Sequence, residues 1–317
     1  MRGLTQTSLG VILGLCAYAA YSTGDAMVKG LGSTLGVFEI GFFTTIFSVL
    51  PAAFTKPKTE RWRDTFKLSH PALVHLIAVC RTISAILAVF AFVTIPLAEA
   101  YCIIFLIPVF ITILSVLVLK EEVSAGRWGL AVLSFVGVLI VVRPGFQALQ
   151  LGHLGAFACA ITAAISATAT RLISGTEKRT SLFVIPGLYT LVVNGALLVF
   201  GFTAPTWFEL VALLVCGVLG GAGYLFQIAA LVKAPASRVA PMQYSQIVWA
   251  LIYGALFFKE VPDAVGLVGL SIVVASGIAG IFSDGARARI AGRWAEFRGR
   301  RSEVARPGDV GPGPDAV

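Results

Sequence analysis

Ten runs of roughly twenty apolar residues constrain this chain more than any other feature it has. They fall at residues 8–28, 35–54, 72–94, 97–119, 126–143, 152–172, 182–203, 208–231, 236–258 and 263–282. About 20 such residues form a helix long enough to cross the hydrocarbon core of a bilayer. At that depth the backbone must satisfy its own hydrogen bonds, which a helix does within one segment. The breaks carry helix-ending residues: Pro51 and Pro57, Pro71, Pro96, Pro144-Gly145, Gly175, Pro205, Pro235 and Pro262. The expected fold is therefore an all-α integral membrane protein with ten transmembrane helices. Composition agrees, because only 13% of residues are charged where soluble domains carry about 25%. The N-terminus has the look of a signal peptide, with Arg2, an apolar run from Leu9 and Ala17-Tyr-Ala19. Its apolar character continues to Val28, so it is read as a retained first helix.

The net charge of +8 does not point to nucleic acid. The basic residues sit in the gaps between apolar runs and in the tail, a pattern suited to anionic lipid headgroups. With the N-terminus inside, 20 of the 24 Lys and Arg residues fall on that side, and only Lys29, Arg143 and Lys259 lie in outer segments. Such asymmetry places both termini in the cytoplasm, with the protein multi-pass in the cytoplasmic (inner) membrane. The tail from Asp284 carries Ile290, Trp294 and Phe297 at helical spacing among arginines, which predicts a short interfacial helix. Its Pro- and Gly-rich end past Arg306 is expected to be disordered.

The five cysteines all lie in apolar runs without Cys-x-x-Cys spacing, so packing explains them better than disulfides or zinc. His70, His75 and His153 lack metal-ligand spacing. No cofactor is expected. Gly217, Gly220, Gly221 and Gly223 lack the Lys-Ser/Thr of a phosphate loop and are read as sites of close helix packing.

The chain also resembles itself at a separation near 140 residues. Pro96 and Pro235 each stand 24 residues before a Lys-Glu pair, Lys120-Glu121 and Lys259-Glu260; after a one-residue shift, Gly126, Gly129 and Gly137 match Gly266, Gly269 and Gly277. This divides the chain into a first five-helix repeat at 1–145, a second at 146–283 and a basic tail at 284–317. Five helices is an odd number, so the second copy enters the membrane inverted. Inverted repeats characterise secondary transporters, which bind substrate near the midplane between the repeats.

Several stretches resemble the EamA-type drug/metabolite transporter superfamily: Pro-Leu-Ala-Glu-Ala-Tyr (96–101), Leu-Lys-Glu-Glu-Val-Ser (119–124), Gly-Val-Leu-Ile-Val-Val-Arg-Pro-Gly (137–145) and Phe-Lys-Glu-Val-Pro-Asp (258–263). The resemblance spans about residues 8–282 and implies a central pocket lined by helices 1, 3, 4, 6, 8 and 9. A finer similarity, through Gly24-Asp25 to Lys29, Phe38-Glu39 to Phe43 and His75 to Arg81, is to the riboflavin and S-adenosylmethionine uptake branch.

Polar residues inside the spans are the candidate site. A charge at bilayer depth costs at least about 2.5–3.5 kcal/mol and therefore seeks a cavity or partner. Arg81, near the middle of helix 3, is read as an anchor for an anion or carbonyl, against a packing role on helix-end carbonyls. Asp25, Glu39 and Glu99 lie toward outer helix ends, where solvation explains Glu39; Asp25 and Glu99 are the candidates for proton coupling. Helices 8 and 9 bring Gln227, Gln243, Tyr244, Gln246 and Trp249, and Tyr18, Tyr101 and Phe105 complete an expected box for a planar polar molecule. With Arg81 as the mid-membrane charge, an uncharged flavin is preferred over a sulfonium cation, and riboflavin uptake is the expected activity. S-adenosylmethionine or amino-acid carriage is the alternative. A membrane-embedded enzyme would need paired aspartates, a His-Glu motif or an activated nucleophile, and the sequence shows none of these clusters. The expected partners are a small metabolite and membrane lipid.

Overall fold

A computed structural model describes residues 6–52, 62–120, 122–143, 148–173, 175–234 and 236–280. Ten helical segments follow one another within these residues. They are α1 (Gln6–Leu31), α2 (Val37–Ala52), α3 (Pro71–Thr94), α4 (Leu97–Leu117), α5 (Ala125–Val142), α6 (Leu151–Ile173), α7 (Arg179–Leu197), α8 (Trp207–Lys233), α9 (236–258) and α10 (Ala264–Gly280). Seven are long and apolar enough to cross a membrane, and α2 and α10 are shorter apolar helices. Their outer faces expose large side chains such as Val132, Leu154, Val192 and Val248. In water such patches would drive association; here they meet lipid. The expected tail helix and the Pro144-Gly145 break lie outside the described residues.

Two expected spans are interrupted, and proline supplies a reason. In α4 a turn at Phe105 and Leu106 separates Leu97–Ile104 from Ile107–Leu117. Pro108 cannot donate to the carbonyl four residues back, and its ring crowds that carbonyl. The ninth span, read from sequence as one helix, is Ala236–Val239, a 3₁₀ stretch Ala240–Tyr244 containing Pro241, an α-helix Ser245–Tyr253 and a π-turn Gly254–Phe258.

The two halves interlock instead of forming separate lobes. α1 packs along α8, and α3 along α6. Small residues set the approach, as is usual between membrane helices. A Cβ on Gly223 would come within 3.1 Å of the Ala17 carbonyl oxygen, and one on Gly217 within 2.8 Å of that of Thr44. The glycines of α8 thus include the close-packing positions expected of them, although Gly220 faces open space. All five cysteines are free.

The repeat is visible in the backbone. Lys120 and Lys259, matched in sequence, both take left-handed conformations with φ of 54° and 57°. Because successive helices alternate in direction, one face carries the start of α1 and the end of α10; we call it proximal and the other distal. On the proximal face the α2–α3 and α6–α7 connections are stapled together. Buried Glu177 accepts from the backbone N–H groups of Ser69 and His70 at 2.9 and 3.0 Å, and Lys178 Nζ donates to the Asp64 carbonyl. On the distal face Glu39 is 1% exposed. It accepts from the Gly36 N–H and, across the repeats, from the Thr203 N–H. The solvated Glu39 expected from sequence is thus replaced by a buried carboxylate that satisfies loop donors, as buried charge requires.

Candidate functional site

The expected site residues divide into a connected centre and two flanking groups. The centre lies where α1, α4 and α9 meet. Asp25 accepts a short hydrogen bond from the Tyr101 hydroxyl, and Gln246 Nε2 donates to the same hydroxyl oxygen at 3.5 Å. Tyr101 packs against Phe92 and Phe105, with ring centroids 5.4 and 6.0 Å apart. Among the described residues, no Lys, Arg or His is in ion-pair contact with Asp25. A carboxylate within a membrane span, held by a phenol that itself packs between two aromatic rings, is suited to take up a proton or a cation.

Beside it, Gln227 of α8 bridges two phenols of α1. Tyr21 donates to Gln227 Oε1 and Gln227 Nε2 donates to Tyr18, both at 3.2 Å. Trp249 stacks on Tyr253 with centroids 5.8 Å apart. The Tyr253 hydroxyl in turn meets Thr23 Oγ1 at 2.8 Å. Tyr253 and Thr23 were not singled out in the sequence. The signal for Tyr253 was its position one turn after Trp249 on the same helix face.

The second group opens toward the proximal face. A cavity of about 310 Å³ is lined by Phe105, Gln243, Tyr244, Ser134, Arg171 and Ser276, among others. All of these belong to the middle or proximal parts of their helices. Phe105 and Tyr244 meet edge-to-face at 5.2 Å, so their rings stand between this cavity and the Tyr101–Asp25 centre.

Arg81 is placed elsewhere. It is exposed on the proximal half of α3, where Nη1 donates to the Leu182 carbonyl at 3.3 Å. Pro186 lies four residues on in α7. Lacking an N–H, it leaves that carbonyl without its helical donor. Arg81 therefore fills a bond that proline removed, although it lies near enough to Tyr21 to act on it electrostatically.

Glu99 is also not free. Its Oε2 lies 3.0 Å from His153 Nε2. His153 Nδ1 lies 3.0 Å from the Gln150 N–H and 3.2 Å from the Gln150 carbonyl oxygen, which fixes the ring with Nε2 toward Glu99. His153 is buried in α6. It is thus a specific partner across the repeats. Two ion pairs also link the repeats on the distal face. Lys29 Nζ lies 2.8 Å from Glu260 and donates to the Ile95 and Phe92 carbonyls at 2.7 and 3.2 Å. Arg143 grips Asp263 through both terminal nitrogens and holds that carboxyl at about 2, well below its ordinary range. Ion pairs thus tie the repeats together on the distal face, and the cavity lies toward the proximal one.

The sequence pattern of the EamA-like transporter family matches residues 8–143 and again residues 150–283. The chain belongs to the EamA-like transporter family. As in the repeat reading, one copy covers each group of five helices, so the fold is ten transmembrane helices in two inverted repeats. Relatives align over most of their length. An S-adenosylmethionine uptake transporter of Rickettsia felis is 27% identical over 85% of this chain and 91% of its own. The pseudopaline exporter CntI of Pseudomonas aeruginosa is 28% identical over 85% and 95%. A riboflavin transporter of Rhizobium johnstonii is 26% identical over 88% and 95%. A solved crystal structure superposes with a TM-score of 0.61 over 88% of this chain and 98% of that one, at 17% identity, a likeness of fold alone. The family is one of transporters of small molecules, and these relatives differ in what they carry.

Proposed function

We propose that this chain is a secondary transporter for a small metabolite bearing a cationic centre, with S-adenosylmethionine the best fit. Asp25 carries the reading. Expectation from sequence favoured riboflavin because the acidic residues lay toward helix ends and Arg81 was the mid-membrane charge. Two contacts bear on that choice. Arg81 serves the Leu182 carbonyl, while Asp25 meets the Tyr101 hydroxyl with no basic partner in contact among the described residues. A sulfonium or ammonium group would be held by the carboxylate and the rings of Tyr101, Phe92 and Phe105. Amides at Gln227, Gln243 and Gln246 supply donors and acceptors for a purine edge. The names of the Rickettsia relatives support the same class. Substrate cation and proton would compete for one carboxylate, which couples their movements; Glu99, already engaged by His153, is the weaker candidate for that role.

Uptake of labelled S-adenosylmethionine into proteoliposomes preloaded with the unlabelled compound tests the substrate. Counterflow above protein-free vesicles is expected, with no competition from riboflavin. Exchange of riboflavin in its place would restore the flavin reading and remove Asp25 from cation binding.

The basic residues support a cytoplasmic proximal face in the cell membrane. A periplasm-only reporter fused after Ala286 is expected to be silent and a cytoplasm-only reporter active. The reverse pattern would overturn that orientation.

A further inference from the structure

We propose that Arg81 holds a carboxylate of the transported molecule, so that the site selects a zwitterion, its anionic group on Arg81 and its cationic centre on Asp25. The inference rests on the cation reading of Asp25 and adds the second charge that the substrate must carry.

Arg81 is exposed, yet it does not face lipid. The outer side of α3 exposes Leu76, Val79 and Ile83. Arg81 stands two residues from both Val79 and Ile83, which at helical pitch puts it on the opposite side. Proximal to it, that inner side is sealed, because Val74, Ile77 and Ala78 are buried with Ile173 of α6 and Ile185 of α7. Distal to it the side opens, since Ala85, one turn on and on the same face, is exposed. Glycines leave room at the same level of two neighbouring helices. The Leu182 carbonyl that Arg81 engages adjoins Phe183, whose ring stacks on Tyr224 with centroids 5.4 Å apart. Gly187 in α7 and Gly220 in α8 each lie one turn distal to that stacked pair. Both are part-buried, and neither would bring a Cβ within 4 Å of another atom. The space continues toward Asp25. Gln227, one turn from Tyr224, bridges Tyr18 and Tyr21, and Asp25 is one turn beyond Tyr21 in α1. Tyr21 lies within electrostatic reach of both Arg81 and Asp25.

The hydrogen bond to Leu182 is the one that Arg81 makes among the described residues. It orients the guanidinium and leaves the rest of the planar fork for a carboxylate, which such a fork grips through two parallel bonds. An ion within a membrane span calls for a partner of opposite charge, and among the described residues no Asp or Glu is in ion-pair contact with Arg81. Asp25 lacks a basic partner in the same way. A zwitterion neutralises both ends at once, whereas a molecule with a single charge leaves one end unmatched. S-adenosylmethionine carries a carboxylate beside its ammonium and sulfonium groups; riboflavin carries none of the three.

Two measurements on the full-length protein in proteoliposomes test this. The first needs no substrate. In a Cys16→Ser background, which removes the exposed cysteine and leaves only buried ones, Ala85→Cys places a thiol one turn from Arg81. Its labelling rates with an anionic sulfonatoethyl and a cationic trimethylammonioethyl thiosulfonate are compared with and without Arg81→Gln. The anionic-to-cationic ratio is expected to fall at least fivefold when the arginine is neutralised, and taking the ratio cancels any change in the thiol itself. An unchanged ratio, or a thiol that neither reagent reaches, overturns the proposal. The second measurement sets S-adenosylmethionine against its decarboxylated counterpart as competitors of counterflow. The decarboxylated compound is expected to compete at least tenfold less well, and Arg81→Gln to erase that difference by weakening S-adenosylmethionine alone. A loss shared equally by the two compounds would make Arg81 a packing residue and overturn the proposal. Absence of S-adenosylmethionine counterflow by the unmodified protein would count against the proposed substrate, and the labelling ratio would still decide the role of Arg81.

Discussion

Replacing Asp25 with Asn is expected to lower S-adenosylmethionine counterflow by about 10- to 100-fold while the protein still reaches the membrane. Asparagine keeps the shape and can accept from the Tyr101 hydroxyl, which now donates to Asp25, so the helices should still meet. What is lost is a charge-assisted interaction, worth about 1.5–3 kcal/mol, together with the site at which proton and cation compete. Asp25→Glu keeps the charge and is expected to retain partial exchange. Tyr101→Phe removes the donor without the charge and is expected to weaken exchange less than Asp25→Asn. Exchange by the Asn variant at the unmodified rate would show that Asp25 is a structural carboxylate and that the cation is held elsewhere.

The second large effect is expected at Lys29. Its side chain is 10% exposed and that of Glu260 24%. Glu260 also accepts from the Leu97 N–H at the start of α4, so the pair ties α1, α4 and α9 together on the distal face. Lys29→Ala strands a half-buried carboxylate and frees two carbonyls. Removing one partner of a buried pair costs about 3–5 kcal/mol; Glu260 is partly wetted, so about 2–4 kcal/mol is the fitting range here. The unfolding temperature in detergent should drop by several degrees. Lys29→Ala with Glu260→Ala should recover part of the loss, because no unpaired charge is left. Equal melting of the single variant and the unmodified protein would show that the pair is a solvated surface contact.

The ease of reading this chain differs by level. Span number and position were legible because a bilayer imposes one requirement, about 20 apolar residues with internally paired backbone, and that requirement is local in sequence. The inverted repeat was legible for a similar reason: a matched Lys-Glu pair and three matched glycines keep their order however the halves pack. The interruption of the fourth and ninth spans was missed although Pro108 and Pro241 announced it, because their apolar neighbours conceal the break from a hydropathy count.

The candidate site was legible by residue type but not by partner. Asp25, Tyr101 and Gln246 were singled out as separate polar residues on separate helices. Arg81 illustrates the difficulty most clearly. Its depth in helix 3 suggested a substrate anchor, whereas its hydrogen bond goes to a carbonyl freed by Pro186, 105 positions away in the chain. His153 and Lys29 were passed over since neither lies near Glu99 or Glu260 in sequence.

By itself the sequence determined a ten-helix, twofold-repeated transporter whose charged residues concentrate at helix ends, since apolar length, charge placement and repeat spacing are one-dimensional properties. Only the tertiary structure decided which charges pair. It tied the repeats on the distal face through Lys29–Glu260 and Arg143–Asp263 and left Asp25 facing a phenol with no cation in contact among the described residues. The physical reason is that a buried charge is settled by whatever lies within about 4 Å of it in space, and helix packing chooses those neighbours.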